Sequence, residues 1–320
     1  MKYVAALLTL TLFLNSCSND GDISIEEAYS YKYFKSSEMT ISSTFTPDVN
    51  AVVEDDSQKL WVGTSNSICK INNDKIRIVQ DNLYTSSVLL DNSGLVWFGT
   101  NDGPLVFDQN EVASQSPVFV SNPNISITSI IQVANGDIWL GTTCCGVIVL
   151  TDINTNLYTQ YFDGLCTNCN YVNSLYLDAD GVIWAGTKEG LWKFTGSAFT
   201  AEPDIPASLS VTAITRDAWG TLWIGTDKGI YKGDKGSYVI PKTPLYNVYM
   251  TSFCEDYDRD LYMGSFISGL WKYNGLVFEE ILLENPSYSA SFGWEYIQTI
   301  YKDKNGFKWI GTSEGLVRIR

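Results

Sequence analysis

The chain has 320 residues, 45% of them hydrophobic and 18% charged, with 36 acidic against 21 basic side chains and a net charge of -15. A protein without a basic surface has no counterions to release from phosphate, so nucleic acid and anionic headgroups are poor candidate partners. Histidine is absent, which removes the side chain that most often serves as general base or metal ligand near neutral pH.

From the N-terminus, Lys2 is followed by the apolar or hydroxyl-bearing run 3–14, YVAALLTLTLFL. That is the length of a signal-peptide core, too short to span a membrane comfortably. Residues Leu14-Asn15-Ser16-Cys17 resemble the lipobox of bacterial lipoproteins, which implies cleavage after residue 16 and lipid on Cys17. The alternative is an ordinary secretory peptide. Ser18, where an Asp would hold a lipoprotein back, implies sorting to the outer membrane of a Gram-negative cell, on its periplasmic or surface-exposed face. The polar, acidic stretch 17–29 reads as a tether. No later apolar run approaches spanning length, so lipid is the only membrane anchor expected.

Residues 30–320 are organised by one recurring pentapeptide: LWVGT from Leu60, VWFGT from Val96, IWLGT from Ile138, IWAGT from Ile183, LWIGT from Leu222, LYMGS from Leu261 and KWIGT from Lys308. The aromatic anchors, Trp61, Trp97, Trp139, Trp184, Trp223, Tyr262 and Trp309, are spaced by 36, 42, 45, 39, 39 and 47 residues. A period near forty built on strand-like motifs predicts an all-β, seven-bladed β-propeller with four-stranded blades. Three residues before most anchors stands a turn glycine (Gly94, Gly136, Gly181, Gly220, Gly306), usually with an aspartate three earlier (Asp91, Asp178, Asp217, Asp303). Asp-x-x-Gly is hairpin chemistry, because the carboxylate caps backbone N–H groups and glycine accepts positive φ. The pentapeptide is apolar on both faces, as a sheet sandwiched between neighbours requires, and the Trp ring is expected to fill the space over the glycine two residues on. Segments such as Val88-Leu89-Leu90 and Ala213-Ile214 read as innermost strands, and Gly190-Leu191-Trp192-Lys193-Phe194 as a third strand. After Trp309 only two strands remain, so 31–45 is expected to supply the outer strand of the last blade and close the ring.

The pattern Val-x-x-Ile-x-x-Asp-x-x-Gly-x-Leu-Trp-Ile-Gly-Thr-x-x-Gly-Leu resembles the two-component regulator propeller repeat, with Asn173 through Leu191 a close match. Blades one and six depart from it: Gln58 and Arg259 replace the turn glycine, and Tyr262 and Ser265 replace Trp and Thr. The resemblance implies a sensor-like propeller that binds carbohydrate or another ligand, here without kinase or DNA-binding region.

Binding falls to loops where strands are occupied by packing. On the end that carries the turns after Gly-Thr, the candidates are Asn66, Asp102, Lys188, Glu189, Asp227, Lys228, Phe266 and Glu314, with Tyr84, Asn168, Tyr171, Tyr246 and Trp294 in the blade connections. Aromatic faces beside amides and carboxylates suit a glycan or a peptide; the second reading is a scaffold that docks an envelope protein. Cys144, Cys145, Cys166 and Cys169 are expected on one rim as one or two loop-stapling disulfides, a thiolate metal site, or free thiols. Cys69 and Cys254 read as buried small hydrophobes. No cofactor, metal or catalytic group is assigned. A lyase that resembles this repeat needs a histidine base, a sialidase needs three convergent arginines where the chain has Arg77, Arg216, Arg259, Arg318 and Arg320, and a glycosidase-type carboxylate pair stays open by counting alone.

Overall fold

Each repeat begins with an inner strand that alternates between a neighbouring blade and the channel, turns at the position that is Asp-x-x-Gly in four blades, and continues into the fully buried pentapeptide strand. In the computed structural model, which describes residues 32–34, 48–72, 75–121, 124–152, 154–155, 157–162, 170–234, 236–283 and 296–320, this unit recurs seven times. The expected signal peptide (1–16) and tether (17–29) lie outside the described residues. Blade one comprises β2 (Val49–Glu54), β3 (Leu60–Thr64), β4 (Ser67–Asn72) and β5 (Lys75–Asp81). Blade two is β6 (Thr85–Leu90) to β9 (Ala113–Ser114), blade three β10 (Ile127–Gln132) to β13 (Tyr158–Tyr161), and blade four β14 (Val172–Leu177) to β17 (Phe199–Ala201). Blade five is β18 (Val211–Arg216) to β21 (Ser237–Val239), and blade six β22 (Met250–Glu255) to β25 (Phe278–Ile281). All are antiparallel meanders. In blade seven β26 (Ile297–Lys302), β27 (Lys308–Thr312) and β28 (Gly315–Ile319) are completed by β1 (Lys32–Phe34), paired to β28 with Lys32 opposite Arg318. The two ends of the chain thus close one sheet, as expected, and the ring needs no free seam.

The aspartate of the turn does more than cap. In blade two Asp91 Oδ1 accepts the N–H groups of Ser93 (2.8 Å) and Leu95 (2.9 Å), while Oδ2 accepts the indole N–H of Trp97 at 2.8 Å. The same indole bond joins Asp55 to Trp61, Asp178 to Trp184, Asp217 to Trp223 and Asp303 to Trp309, between 2.7 and 3.1 Å. Opposite the ring on the third strand stands a cation in four of these blades: Lys70 beside Trp61, Lys193 beside Trp184, Lys232 beside Trp223 and Arg318 beside Trp309. Their charged groups lie 4.2 to 5.5 Å from the ring centres, so the aromatic is held through its edge and its face. Blade three has Val133 for the aspartate, and the Trp139 indole nitrogen is buried without a partner.

The space over the strand glycine is filled differently from the sequence expectation. A Cβ on Gly225 would lie 2.8 Å from Met250 Cβ, and one on Gly264 would lie 2.6 Å from Ile297 Cγ2. Both neighbours are the first residue of the next blade's inner strand, not the Trp ring. The glycine is therefore the contact point at which one blade is set against the next. Gln58 (φ 58°) and Arg259 (φ 69°) adopt the left-handed backbone that glycine adopts in the other turns, such as Gly94 (φ 83°). The drift at these positions changes the residue and keeps the turn.

Candidate functional site

Every inner strand carries a β-bulge at its second residue: the pairing register skips once between Val49 and Ala51, and likewise in the six other blades. Such a bulge re-aims one side chain. The residues skipped are Asn50, Ser86, Thr128, Asn173, Thr212, Thr251 and Gln298, all uncharged hydroxyls or amides. Five of them donate to the first carbonyl of the next blade's inner strand: Asn50 to Thr85 (2.9 Å), Ser86 to Ile127, Thr128 to Val172, Asn173 to Val211 (2.8 Å) and Thr212 to Met250 (2.7 Å). A hydrogen-bonded belt so links blades one to six around the channel. Thr251 Oγ1 is buried without a partner.

Above the belt stands the residue that precedes each inner strand: Asp48, Tyr84, Ser126, Tyr171, Ser210, Tyr249 and Tyr296. In six blades its carbonyl accepts the N–H of the residue after Gly-Thr or Gly-Ser, as in Lys188 to Tyr171 (3.1 Å) and Phe266 to Tyr249 (2.9 Å), which brings both positions to one mouth. The Gly-Thr turn itself is built by its hydroxyl: Thr187 Oγ1 donates to Gly190 O and accepts the Glu189 N–H. Four tyrosines and Phe266 therefore rim the channel. The Phe266 ring centre lies 6.0 Å from that of Tyr249 and 4.8 Å from that of Tyr296, and Lys188 Nζ sits 3.5 Å from the centre of Tyr171. Burial pushes the phenols of Tyr84 and Tyr249 up, and Tyr171 with Asp48 or Asp227 adds to it, so both stay neutral donors.

This mouth opens into a cavity of about 480 Å³ lined by Thr128, Tyr171, Asn173, Thr212, Tyr249, Thr251, Phe266 and Gln298. The lining holds neither carboxylate nor cation. Its volume falls within the roughly 300–1,000 Å³ range of small-molecule sites. Of the residues expected from the sequence, Tyr171 and Phe266 line it; Tyr84, Lys188 and Asp227 stand on the rim positions just described. Asn66, Asp102, Glu189, Lys228 and Glu314 occupy the following turn position, where each backbone N–H donates to the Thr hydroxyl, and they do not line the cavity. Tyr246, 72% exposed, is also outside the lining. Asn168 and Trp294 lie outside the described residues. Sequence reasoning missed Tyr249, Tyr296 and the belt. The available signal was positional: Tyr249 and Tyr296 precede their inner strands as Tyr84 and Tyr171 precede theirs.

Cys144 and Cys145 form a disulfide between adjacent residues in the blade-three turn on this end, with Gln160 Nε2 donating to Cys145 O at 2.9 Å. Cys166 and Cys169 lie outside the described residues. Cys69 and Cys254 are free, and burial pushes each thiol up to about 11. Among the described residues no cluster of Cys, Asp or Glu could hold a metal ion, and no helix is long and apolar enough to cross a membrane.

On the opposite end a smaller cavity of about 290 Å³ is lined by carboxylates of Asp178, Asp180, Glu202 and Asp234 with Lys193 and Arg216 among them. Arg216 bonds Asp234 (2.9 Å) and Asp178 (3.3 Å) and so is engaged in joining blades four and five. Arg216 and Arg318 are each tied to a blade's aspartate or ring, far from the convergent trio that a sialidase would need.

A ring of seven four-stranded meanders with a polar belt and an aromatic mouth defines a seven-bladed β-propeller. Residues 168–189 and 205–228 match the family model described as "Two component regulator propeller". No curated protein matches the sequence. Among solved structures, the extracellular domain of a putative hybrid two component system from B. thetaiotaomicron superposes with a TM-score of 0.75 at 18% identity, over 90% of this chain and 39% of that one. A second such domain from the same organism gives 0.75 at 21% identity, over 90% and 40%. This chain therefore spans about two-fifths of those domains. The catalytically inactive histidine-to-alanine variant of virginiamycin B lyase from Staphylococcus aureus, solved with quinupristin, gives 0.71 at 17% identity, over 91% of this chain and 99% of that one. At such identities the likeness establishes the fold.

Proposed function

We propose that this protein is a non-catalytic, extracytoplasmic lipoprotein, anchored through Cys17 in an outer membrane, that binds an uncharged glycan or peptide in the mouth of its channel. The observation that carries the reading is the lining of the large cavity. Tyrosine and phenylalanine faces stand over a floor of Asn, Thr and Gln, which suits CH surfaces above and hydroxyls or amides below. A charged ligand would find no counter-charge on that floor. The likeness to extracellular sensor domains supports an extracytoplasmic location. The lyase neighbour described as inactive has lost a histidine, and this chain contains none; the cavity lining also offers no carboxylate pair.

The test is calorimetric titration of the protein, and of Tyr249→Ala, with neutral oligosaccharides, their uronic-acid counterparts and short uncharged peptides. A neutral ligand that binds the parent protein and loses about tenfold or more in affinity on removal of Tyr249 supports the reading. Saturable binding that is indifferent to Tyr249, or a stoichiometric co-purifying protein with no small ligand, would replace it with the scaffold. The exposed Tyr246 and Ile267 beside the mouth are the residues on which such a partner would rest.

A further inference from the structure

Strand β28 runs from Gly315, at the mouth, to Ile319, at the Asp-x-x-Gly end, and β1 pairs with it antiparallel, Phe34 opposite Leu316 and Lys32 opposite Arg318. The chain therefore reaches Lys32 from the Asp-x-x-Gly end. Whatever precedes β1 is attached on the face opposite the tyrosine-rimmed mouth.

The same face exposes large apolar side chains. Trp219 (55% exposed) and Tyr257 (65%) sit in the Asp-x-x-Gly turns of blades five and six, and Leu276 (88%) and Val277 (49%) in the outer hairpin of blade six. The Trp219 ring abuts the blade-six hairpin, where a Cβ on Gly275 would lie 3.8 Å from it, and the Tyr257 ring abuts the blade-seven turn, where a Cβ on Gly306 would lie 3.2 Å away. The exposed apolar side chains therefore stand on blades five and six, next to the blade where the chain enters. Trp and Tyr are the residues favoured at headgroup depth, with an apolar body and a polar tip. The stretch from Cys17 to β1 is short: a chain of that many residues reaches at most about 50 Å.

We propose that the propeller rests its Asp-x-x-Gly end on the bilayer through Trp219, Tyr257 and Leu276 and points its mouth away from the membrane. This rests on lipidation of Cys17. Because the chain is strongly acidic, the contact is made by shallow apolar insertion into a neutral interface and not by attraction to anionic lipid. A ligand arriving from the far side then meets an unobstructed mouth.

The experiment uses the full lipidated chain, extracted from membranes and reconstituted into phosphatidylcholine vesicles with and without brominated acyl chains, which quench tryptophan only where it touches lipid. Intact mass first establishes whether Cys17 carries lipid. The expected result is a loss of tryptophan emission in brominated vesicles that is abolished in Trp219→Phe. In that background, Tyr84→Trp, which places a reporter on the mouth, should show no quenching. A lipidated protein with no Trp219-dependent quenching, or with quenching at position 84, overturns the orientation and leaves the lipoprotein reading intact. An unmodified Cys17 overturns both.

Discussion

The two ends of the ring are built from the same repeat and use it in opposite ways. At the Asp-x-x-Gly end one solution recurs, a carboxylate that accepts two turn N–H groups and an indole, with a cation over the ring in most blades. At the mouth the backbone repeats as faithfully, through the Thr hydroxyl turn and the inner-strand bulge, but the side chains at equivalent positions vary from Asp48 to Tyr84 to Ser126. The difference shows where the fold has left residues free. Side chains that complete a backbone's hydrogen bonds cannot vary without cost, whereas those borne on an already satisfied turn can be given over to recognition.

The sharpest way to break this contrast is Asp217→Ala. It leaves the buried Trp223 indole and the N–H groups of Trp219 and Thr221 without their acceptor, and should lower stability by roughly 2–4 kcal/mol in a urea titration. Ligand affinity at the other end should stay unchanged; a variant as stable as the parent would show that the lock is ornamental. Tyr249→Ala should behave in the reverse sense, with stability altered by less than about 1 kcal/mol and affinity reduced about tenfold or more.

Acid should act on the Asp-x-x-Gly end. Burial opposes ionisation of Asp178 and Asp55, yet hydrogen bonds from their indoles and turn N–H groups, with Arg216 or Lys70, outweigh it and hold both carboxyls below the ordinary value of 3.8. A depressed folded-state value means the stabilisation is fully present above the unfolded value and is lost as pH falls through the folded one. Thermal midpoints should therefore be flat from neutral pH to about 5 and drop below about 4. Asp178→Asn should flatten part of that drop.

Two substitutions should gain stability by restoring the repeat. Val133→Asp supplies the acceptor that the buried Trp139 indole lacks, worth about 1 kcal/mol. Arg259→Gly removes a side chain from a left-handed turn position and should add about 0.5–1 kcal/mol, its thermal midpoint rising by a few degrees or less. A loss in either case would mean that blades three and six have found compensations of their own.

Much of the scaffold was legible because it is periodic. The pentapeptide, the turn glycines and the missing last strand led to seven blades and their closure by the N-terminal segment, and β1 on β28 agrees. The aspartate-to-indole bond was within reach as well, since Asp and Trp recur six apart. The glycine is less legible: its need for close approach is plain from the residue, but which side chain comes close depends on the next blade, 22 to 33 residues on. At the mouth, residue type alone points to Tyr171 and Phe266, which line the cavity, but not to Tyr249, which lines it too and holds the same station as Tyr171.

By itself the amino-acid sequence determined the local units, because turn chemistry and two-sided burial are properties of a few consecutive residues and repeat wherever those residues do. Only the tertiary structure decided which side chains meet. The channel belt draws one position from each blade, and the aromatic mouth draws Tyr84, Tyr171, Tyr249 with Phe266, and Tyr296 from blades two, four, six and seven. Their contact follows from ring closure, which sets each bulged second residue against the next blade's inner strand and which no single repeat contains.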